Sequence, residues 1–271
     1  MTLKMVRWSR QLVIAALAMV FFLPLVALSW ADTPATAPAT EPTTRLAKIR
    51  IVLAGDSTVT DNAGWGAGFA KCLTDDVICT NLSRGGRSSG SFIEEGRWQK
   101  ALDLKPDYVL VQFGHNDQPG HGSKRETDPK TTYKANMERY VDEGRAAGIQ
   151  VILVTSLSRR EWGADGKIHS SLAPYAEAVR QIAAEKHVPL IDLQARSIEL
   201  YDKLGKAEIL KLSPKKNADP NSKNSDTASA VNEGYDGTHL NAKGSEVIGR
   251  IVADEMVKAV PALAPYVKPA S

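Results

Sequence analysis

Short apolar runs alternate with longer amphipathic stretches along most of this 271-residue chain, and this alternation constrains the fold more than any other feature. Each run is compact, partly β-branched and bounded by Gly, Pro, Asp or Asn, as is typical of buried parallel strands. The runs cover residues 49–54, 77–82, 108–113, 151–155 and 189–193. The stretches with helical spacing cover residues 68–73, 96–104, 131–147, 172–187, 194–204 and 242–259.

This order predicts an α/β fold, a three-layer α/β/α sandwich around a five-stranded parallel sheet. Sheets of this kind bind ligands at the carboxyl ends of their strands. Three candidate residues follow the first three strands in turn: Ser57, Gly86 and Asn116. We therefore expect the chemistry of the protein at that edge of the sheet.

The N-terminal 31 residues have the features of a secretory signal peptide. Lys4, Arg7 and Arg10 precede an apolar run, and Ser29-Trp30-Ala31 offers small residues at a cleavage site. An uncleaved membrane anchor is the alternative, which a proline inside the run disfavours. We expect export, either to the periplasm or out of the cell, with no stable membrane association after cleavage.

The rest of the chain is predicted to contain one domain. Residues 32–47 are rich in Pro, Ala and Thr and form a predicted flexible linker. The domain covers residues 48–260, and residues 261–271 form a predicted flexible tail. The polar stretch 211–232 is either a disordered insertion, which we favour, or an active-site flap.

Charge and cysteine content narrow the range of partners. The leader holds three of the 34 basic residues, so the exported form carries 31 basic residues against 31 acidic ones. A neutral chain with few aromatic residues gives no support for a nucleic-acid partner.

An exported chain is free to join Cys72 and Cys79 in a disulfide, and two buried thiols are the equal alternative. The sequence does not establish the oligomeric state, and a monomer is favoured.

A serine, an aspartate and a histidine occur in an order that suits nucleophilic catalysis. Ser57 lies in Gly-Asp-Ser-Thr after the first strand, where we expect a turn into a helix N-terminus. Asp236 and His239 are only three residues apart in Asp-Gly-Thr-His, so one loop could deliver the base and the group that orients it. Taken alone, each motif has an ordinary structural explanation, namely a helix cap or a turn.

Two further motifs offer hydrogen-bond donors for a negatively charged oxygen. Gly86 belongs to a Gly-Gly-Arg-Ser turn, and Asn116 has a neutral amide donor. We expect the neighbouring His115 to pack against and support Asn116 rather than to act as the base, and Asp117 to brace the loop. The chain contains neither His-Glu-x-x-His nor paired Cys-x-x-Cys, so we expect no metal and no cofactor.

Together these four blocks resemble the SGNH (GDSL-like) hydrolases, over roughly residues 48–257. Thr58, the Gly-Gly-Arg-Ser block and Arg159-Arg160 after the fourth strand resemble, more narrowly, the rhamnogalacturonan acetylesterases. Leu240 departs from that family, in which an aromatic residue often follows the histidine.

The resemblance implies a flavodoxin-like strand order and specific roles for the site residues. It implies Ser57 as nucleophile, His239 as base and Asp236 as the orienting carboxylate, with an oxyanion hole formed by the Ser57 and Gly86 N–H groups and by Asn116. It also implies an acetylated pectin-type polysaccharide as substrate. A lipid-directed esterase or thioesterase, and an inactive carbohydrate-binding protein on the same fold, remain alternatives.

Substrate contacts are less certain from the sequence. Thr58 is one candidate, and Arg87, Arg159 and Arg160 could each bind a uronic-acid carboxylate or brace a loop. For Arg87 we favour bracing, and for the other two arginines both interpretations stay open.

Overall fold

A computed structural model describes residues 46–215 and 234–270. Five parallel strands form one sheet in the order β2-β1-β3-β4-β5, which is the flavodoxin-like order. The strands are β1 (Ile49–Gly55), β2 (Val77–Asn81), β3 (Tyr108–Gln112), β4 (Gln150–Val154) and β5 (Leu190–Ile191). The predicted α/β class and strand order are confirmed.

Alternate residues of each central strand enter two separate hydrophobic cores, because successive side chains of a strand point to opposite faces of the sheet. In β1, Val52 and Ala54 join one core, whereas Ile51 and Leu53 join the other. All four side chains are almost fully buried. A sheet buried on both faces requires helices on both sides, which makes the domain three-layered.

The helices of the domain follow the strands in sequence. They are α1 (Gly66–Lys71), α2 (Ser89–Glu94), α3 (Arg97–Asp103), α4 (Thr132–Ala146), α5 (Ala173–Lys186), α6 (Leu193–Leu204), α7 (Lys206–Leu210) and α8 (Ala242–Ala259). Helices α3, α4 and α5 cover one face, and α1 and α8 cover the other. The predicted helices agree with six of these within two residues at each end, while the sequence analysis missed the short α2 and α7.

The predicted C-terminal tail is wrong. Pro261–Tyr266 forms a 3₁₀ helix, Leu263 is fully buried in the core, and Val267 pairs with Leu73. Among the described residues, the compact unit accordingly includes residues 261–270. The composition of this segment resembles a linker, but its few apolar side chains cover the core beside α8.

Several predictions concern residues outside the described ranges, among them the signal peptide 1–31, most of the linker 32–47 and most of the polar stretch 211–232. At the border of the last stretch, Lys215 pairs with Tyr235. No helix within residues 46–215 and 234–270 is long and apolar enough to cross a membrane.

Of the two equal alternatives for Cys72 and Cys79, the structure has free thiols rather than a disulfide, and both residues are partly buried. Cys72 follows α1 and its thiol donates to the Gly68 carbonyl, 3.3 Å away, whereas Cys79 lies inside β2. Burial raises the pKa of the Cys79 thiol to about 12.

Candidate active site

Ser57 lies in a tight turn directly after β1. A Cβ on Gly55 would stand 2.5 Å from a Val59 methyl carbon, so this turn requires glycine. The Ser57 carbonyl accepts the Thr60 hydroxyl at 2.7 Å and the Thr60 N–H at 3.3 Å. The predicted helix N-terminus at Ser57 is wrong, because the next helix begins only at Gly66. Any anion bound here meets local N–H groups rather than the end of a helix.

The structure brings the three predicted catalytic side chains into one hydrogen-bonded chain. His239 Nε2 lies 2.8 Å from Ser57 Oγ, although 182 positions separate the two residues. His239 Nδ1 lies 2.8 Å from Asp236 Oδ2. All three side chains are partly exposed. With Nδ1–H donated to the carboxylate, Nε2 is left to accept the serine proton.

The loop before α8 fixes Asp236 and His239 relative to each other. The second carboxylate oxygen of Asp236 accepts the N–H groups of Thr238 (2.7 Å) and His239 (3.0 Å). Burial alone would raise the pKa of Asp236, but the hydrogen bonds and the charge interaction with His239 outweigh it and lower the pKa. Asp236 is therefore ionised at neutral pH and able to stabilise an imidazolium.

Arg160 holds this loop from behind, and its side chain is fully buried. Its guanidinium donates to the carbonyl oxygens of His239 (2.5 Å) and Asp236 (3.3 Å), and its backbone N–H donates to the Gly237 carbonyl (2.8 Å). Leu240 fixes the other end of the loop, since it is buried in the core and its N–H donates to the Ala63 carbonyl. Arg160 is thus a positioning residue for the Asp–His pair, one of the two roles left open by the sequence.

Two glycines bring the loop after β2 close to Ser57. A Cβ on Gly85 would lie 3.6 Å from Ser57 Cβ, and Gly86 has a positive φ of 77°. Within the described residues, neither the Ser57 N–H nor the Gly86 N–H donates a hydrogen bond. Two backbone donors without a protein acceptor therefore lie beside the serine hydroxyl.

Asn116 is the third predicted donor, on the loop after β3. Its Nδ2 donates one N–H to the Arg87 carbonyl (3.1 Å), and the side chain is almost fully buried. This bond fixes the amide orientation and leaves the second N–H of Nδ2 for another acceptor.

A buried pair lies behind the serine. His115 Nδ1 is 3.4 Å from Asp56 Oδ2, and the other Asp56 oxygen accepts the N–H and hydroxyl of Thr58 at 2.9 and 2.7 Å. Burial lowers the pKa of His115, so this ring stays neutral at pH 7. Burial by itself would raise the pKa of Asp56, but His115 and Thr58 together lower it. His115 is therefore a neutral partner of Asp56 and is not the base that contacts Ser57.

Asp117 braces the loop that carries Asn116, as predicted. Its carboxylate accepts the Ser89 hydroxyl at 2.6 Å and the Thr127 hydroxyl at 2.8 Å. Burial raises the pKa of Asp117 to about 7.

The other three candidate substrate contacts bond to the protein itself. Thr58 is fully buried and its hydroxyl accepts from Gln112, so it cannot reach a substrate. Arg87 braces, as favoured, with Nε on Glu95 (3.0 Å) and Nη1 on the Gly85 carbonyl (2.9 Å). Arg159 is buried and donates to Gln118 and Ser171.

The sequence analysis missed Gln112, the last residue of β3, which links the turn after Ser57 to the core. It donates to Thr58 and accepts from the Trp65 indole at 2.9 Å. A polar residue at the end of an apolar strand is the signal that could have found it. Within the described part of the chain, no three His, Cys, Asp or Glu side chains cluster as metal ligands would.

A hydroxyl activated by a histidine that a carboxylate orients, at the carboxyl edge of a parallel sheet, defines a serine hydrolase. The order of its parts, serine first and then Asp-x-x-His near the C-terminus, is that of the SGNH group. The model of the GDSL-like lipase/acylhydrolase family matches residues 53–247. The chain belongs to that family and is a carboxylic ester hydrolase.

Relatives and solved structures agree with this assignment. The chain is 35% identical over 218 residues to rhamnogalacturonan acetylesterase RhgT of Bacillus subtilis, covering 76% of this chain and 88% of that one. It is 30% identical over 236 residues to a rhamnogalacturonan acetylesterase of Emericella nidulans, covering 78% of this chain and 84% of that one.

Among solved structures, the acetylxylan esterase Axe2 of Geobacillus stearothermophilus has the same fold, with a TM-score of 0.55 and 17% identity, covering 79% of this chain and 94% of that one. The Bacillus subtilis protein YXIM gives a TM-score of 0.62 with 24% identity over 82% of this chain, which spans 59% of that protein's length.

Proposed function

We propose that this protein is an exported serine acetylesterase that removes O-acetyl groups from plant cell-wall polysaccharide of the rhamnogalacturonan or pectin type. The observation that carries this proposal is the hydrogen bond between His239 Nε2 and Ser57 Oγ beside the unused N–H groups of Ser57 and Gly86. The polysaccharide comes from the names of relatives with at least 30% identity.

The first half-reaction forms an acetyl-enzyme. His239 Nε2 takes the Ser57 proton as Oγ attacks the acetyl carbonyl, and the resulting oxyanion accepts from Ser57 N–H, Gly86 N–H and Asn116 Nδ2. The tetrahedral intermediate then collapses, the C–O bond to the sugar breaks, and the sugar oxygen leaves with the proton from His239. Asp236 stabilises the imidazolium that exists between these two proton transfers.

The second half-reaction returns the enzyme to its starting state. Water loses a proton to His239 as its oxygen attacks the acetyl carbon. Collapse releases acetic acid and gives the proton on His239 back to Ser57 Oγ. Each half uses the same three donors and needs no metal or cofactor.

Acetate release is the direct test of this function. Purified protein is incubated with acetylated rhamnogalacturonan, acetylated homogalacturonan and acetylated xylan, and released acetate is measured for the wild type and Ser57→Ala. We expect release from the pectic substrates and none by the variant. A fluorophosphonate probe should label the wild type and leave Ser57→Ala unlabelled.

A series of esters with different acyl-chain lengths distinguishes an acetylesterase from a lipid-directed esterase. p-Nitrophenyl esters from acetate to decanoate should show the highest kcat/KM with acetate. A preference for long chains would instead identify a lipid-directed esterase, and absence of both labelling and turnover would identify an inactive carbohydrate-binding protein. For export, expression of the full chain in a Gram-negative host with fractionation should yield a periplasmic or extracellular protein that begins after residue 31.

A further inference from the structure

The three arginines that the sequence marks as candidates for a uronic-acid carboxylate are all engaged with the protein. Arg87 bonds Glu95, Arg159 bonds Gln118 and Ser171, and Arg160 bonds the carbonyls of the catalytic loop. A cation near the serine with fewer protein partners would suit an anionic substrate better.

Arg125 is such a cation. It lies on the loop between β3 and α4, and its Nη1 is 3.7 Å from the point that a Cβ on Gly86 would occupy. Gly86 is one of the two predicted backbone donors of the oxyanion hole, and its N–H group has no acceptor among the described residues. The guanidinium of Arg125 thus borders the proposed oxyanion hole.

The guanidinium keeps donors for a ligand. Its Nε donates to the His121 carbonyl at 2.8 Å, which fixes the side chain. Within residues 46–215 and 234–270, no carboxylate lies within ion-pair distance of it. The residue is only partly buried, and the structure gives its Nη1 and Nη2 no hydrogen-bond partner among the described residues.

The loop that carries Arg125 is held in place on both sides. Glu126 Oε1 accepts the N–H groups of Gly120 (2.9 Å) and Gly122 (2.7 Å), and the Thr127 N–H donates to the Asp117 carbonyl at 2.8 Å. A guanidinium whose Nε is fixed and whose Nη donors are unused suits a carboxylate, which it can bind through two parallel hydrogen bonds.

We propose that Arg125 is a specificity-determining residue that binds the carboxylate of a uronic-acid unit next to the acetyl group being removed. This inference rests on the proposed function and assigns the residue that binds the acid group of its substrate. Neutral acetylated glycans lack the group that Arg125 would bind, and their hydrolysis should not depend on it.

The test compares acidic substrates with uncharged ones. kcat/KM is measured for the wild type, Arg125→Gln and Lys124→Gln on acetylated oligogalacturonides, on the same oligosaccharides with their carboxylates methyl-esterified, and on acetylated xylo-oligosaccharides. Lys124 is the matched control, because it is an exposed cation on the same turn and its change to glutamine removes the same charge.

For Arg125→Gln we expect a loss of about 10- to 100-fold on the acidic oligosaccharides, mainly through KM, from one lost charged hydrogen-bond pair. On the methyl-esterified and neutral substrates the loss should stay within about 3-fold, and Lys124→Gln should match the wild type within that factor on all three substrates. Methyl esterification should lower the wild-type value to that of the variant. Arg125→Lys should recover part of the loss, because it restores the charge without the paired donors.

Two results would overturn the inference. An equal loss of kcat/KM on every substrate would mean that Arg125 contacts the oxyanion rather than the sugar carboxylate. No loss of kcat/KM on the acidic substrates would mean that Arg125 does not contact the substrate. Failure of the proposed function looks different: the wild type would then hydrolyse p-nitrophenyl acetate but release no acetate from any glycan.

Discussion

Removing the guanidinium of Arg160 should damage catalysis although Arg160 does not touch the substrate. Arg160→Met keeps most of the side-chain volume and removes the donors to the carbonyls of His239 and Asp236. A hydrogen bond from a charged donor contributes about 1.5–3 kcal/mol. Because the Asp236 contact is long, at 3.3 Å, we take the lower value for it, and the two bonds together give about 3–4.5 kcal/mol.

That loss is smaller than the free energy of unfolding of most domains, about 5–15 kcal/mol, so the variant should still fold. The freed carbonyls can regain donors only from water, which requires the loop to move away from Ser57. A displacement of about 1 Å at a catalytic group costs about 100-fold in rate. We therefore expect Arg160→Met to lower kcat for p-nitrophenyl acetate about 100-fold with little change in KM.

The assay must separate positioning from simple instability. Urea unfolding gives the free energy of unfolding, and titration with a fluorophosphonate to completion gives the folded fraction by which kcat is corrected. Arg180→Met is the control, since Arg180 is a partly buried cation bonded to Asp192 and Gln194 rather than to a triad residue. It should lose stability and keep its turnover per folded molecule. If Arg160→Met did the same, Arg160 would have no positioning role and the reasoning would be wrong.

Three further predictions follow from the site and the core. Asn116→Ala should lower kcat by about 10²–10³ at nearly constant KM in steady-state kinetics, since it removes one oxyanion donor; a loss below 10-fold would exclude that role. The raised pKa of Asp117, about 7 against an ordinary 3.8, means that the folded state binds a proton more tightly than the unfolded state does. Stability contributed by this proton is fully present below pH 3.8 and is lost as the pH rises to about 7. Urea unfolding between pH 4 and 8 should show this fall in the free energy of unfolding, and Asp117→Asn should reduce it. An equal change of that free energy with pH in both proteins would contradict the prediction. Leu263→Ala should lower the free energy of unfolding by about 2–5 kcal/mol, because the side chain is fully buried. A change near zero would instead support the prediction that residues 261–271 form a flexible tail.

The contrast between α8 and the C-terminal segment shows where sequence reasoning succeeds. Helix α8 was predicted with its observed bounds, because its apolar residues recur at helical spacing over 18 residues. The 3₁₀ helix of Pro261–Tyr266 has no such repeat, and one buried leucine packed beside α8 decides its conformation. Hydrophobic periodicity predicts a helix only when the helix is long enough for the pattern of apolar residues to repeat.

In the active site too, contacts between residues close in sequence could be predicted, whereas the conformation of the turn after Ser57 could not. Asp236 and His239 are three residues apart, so their pairing is a local property of the Asp-Gly-Thr-His loop and could be predicted. The helix expected after Ser57 did not form there, because Gly55, Val59 and the Thr60 bonds produce a tight turn first.

The sequence by itself determined the class of fold, the order of strands along the chain, and which residue types could form a nucleophile, a base and their orienting acid. These follow from period, composition and spacing, which are local properties. Only the tertiary structure decided what each arginine does, because a guanidinium reaches acceptors on other segments of the chain. Arg159 and Arg160 are held by such acceptors inside the protein, whereas Arg125, which no motif marks, approaches Gly86 from a different loop.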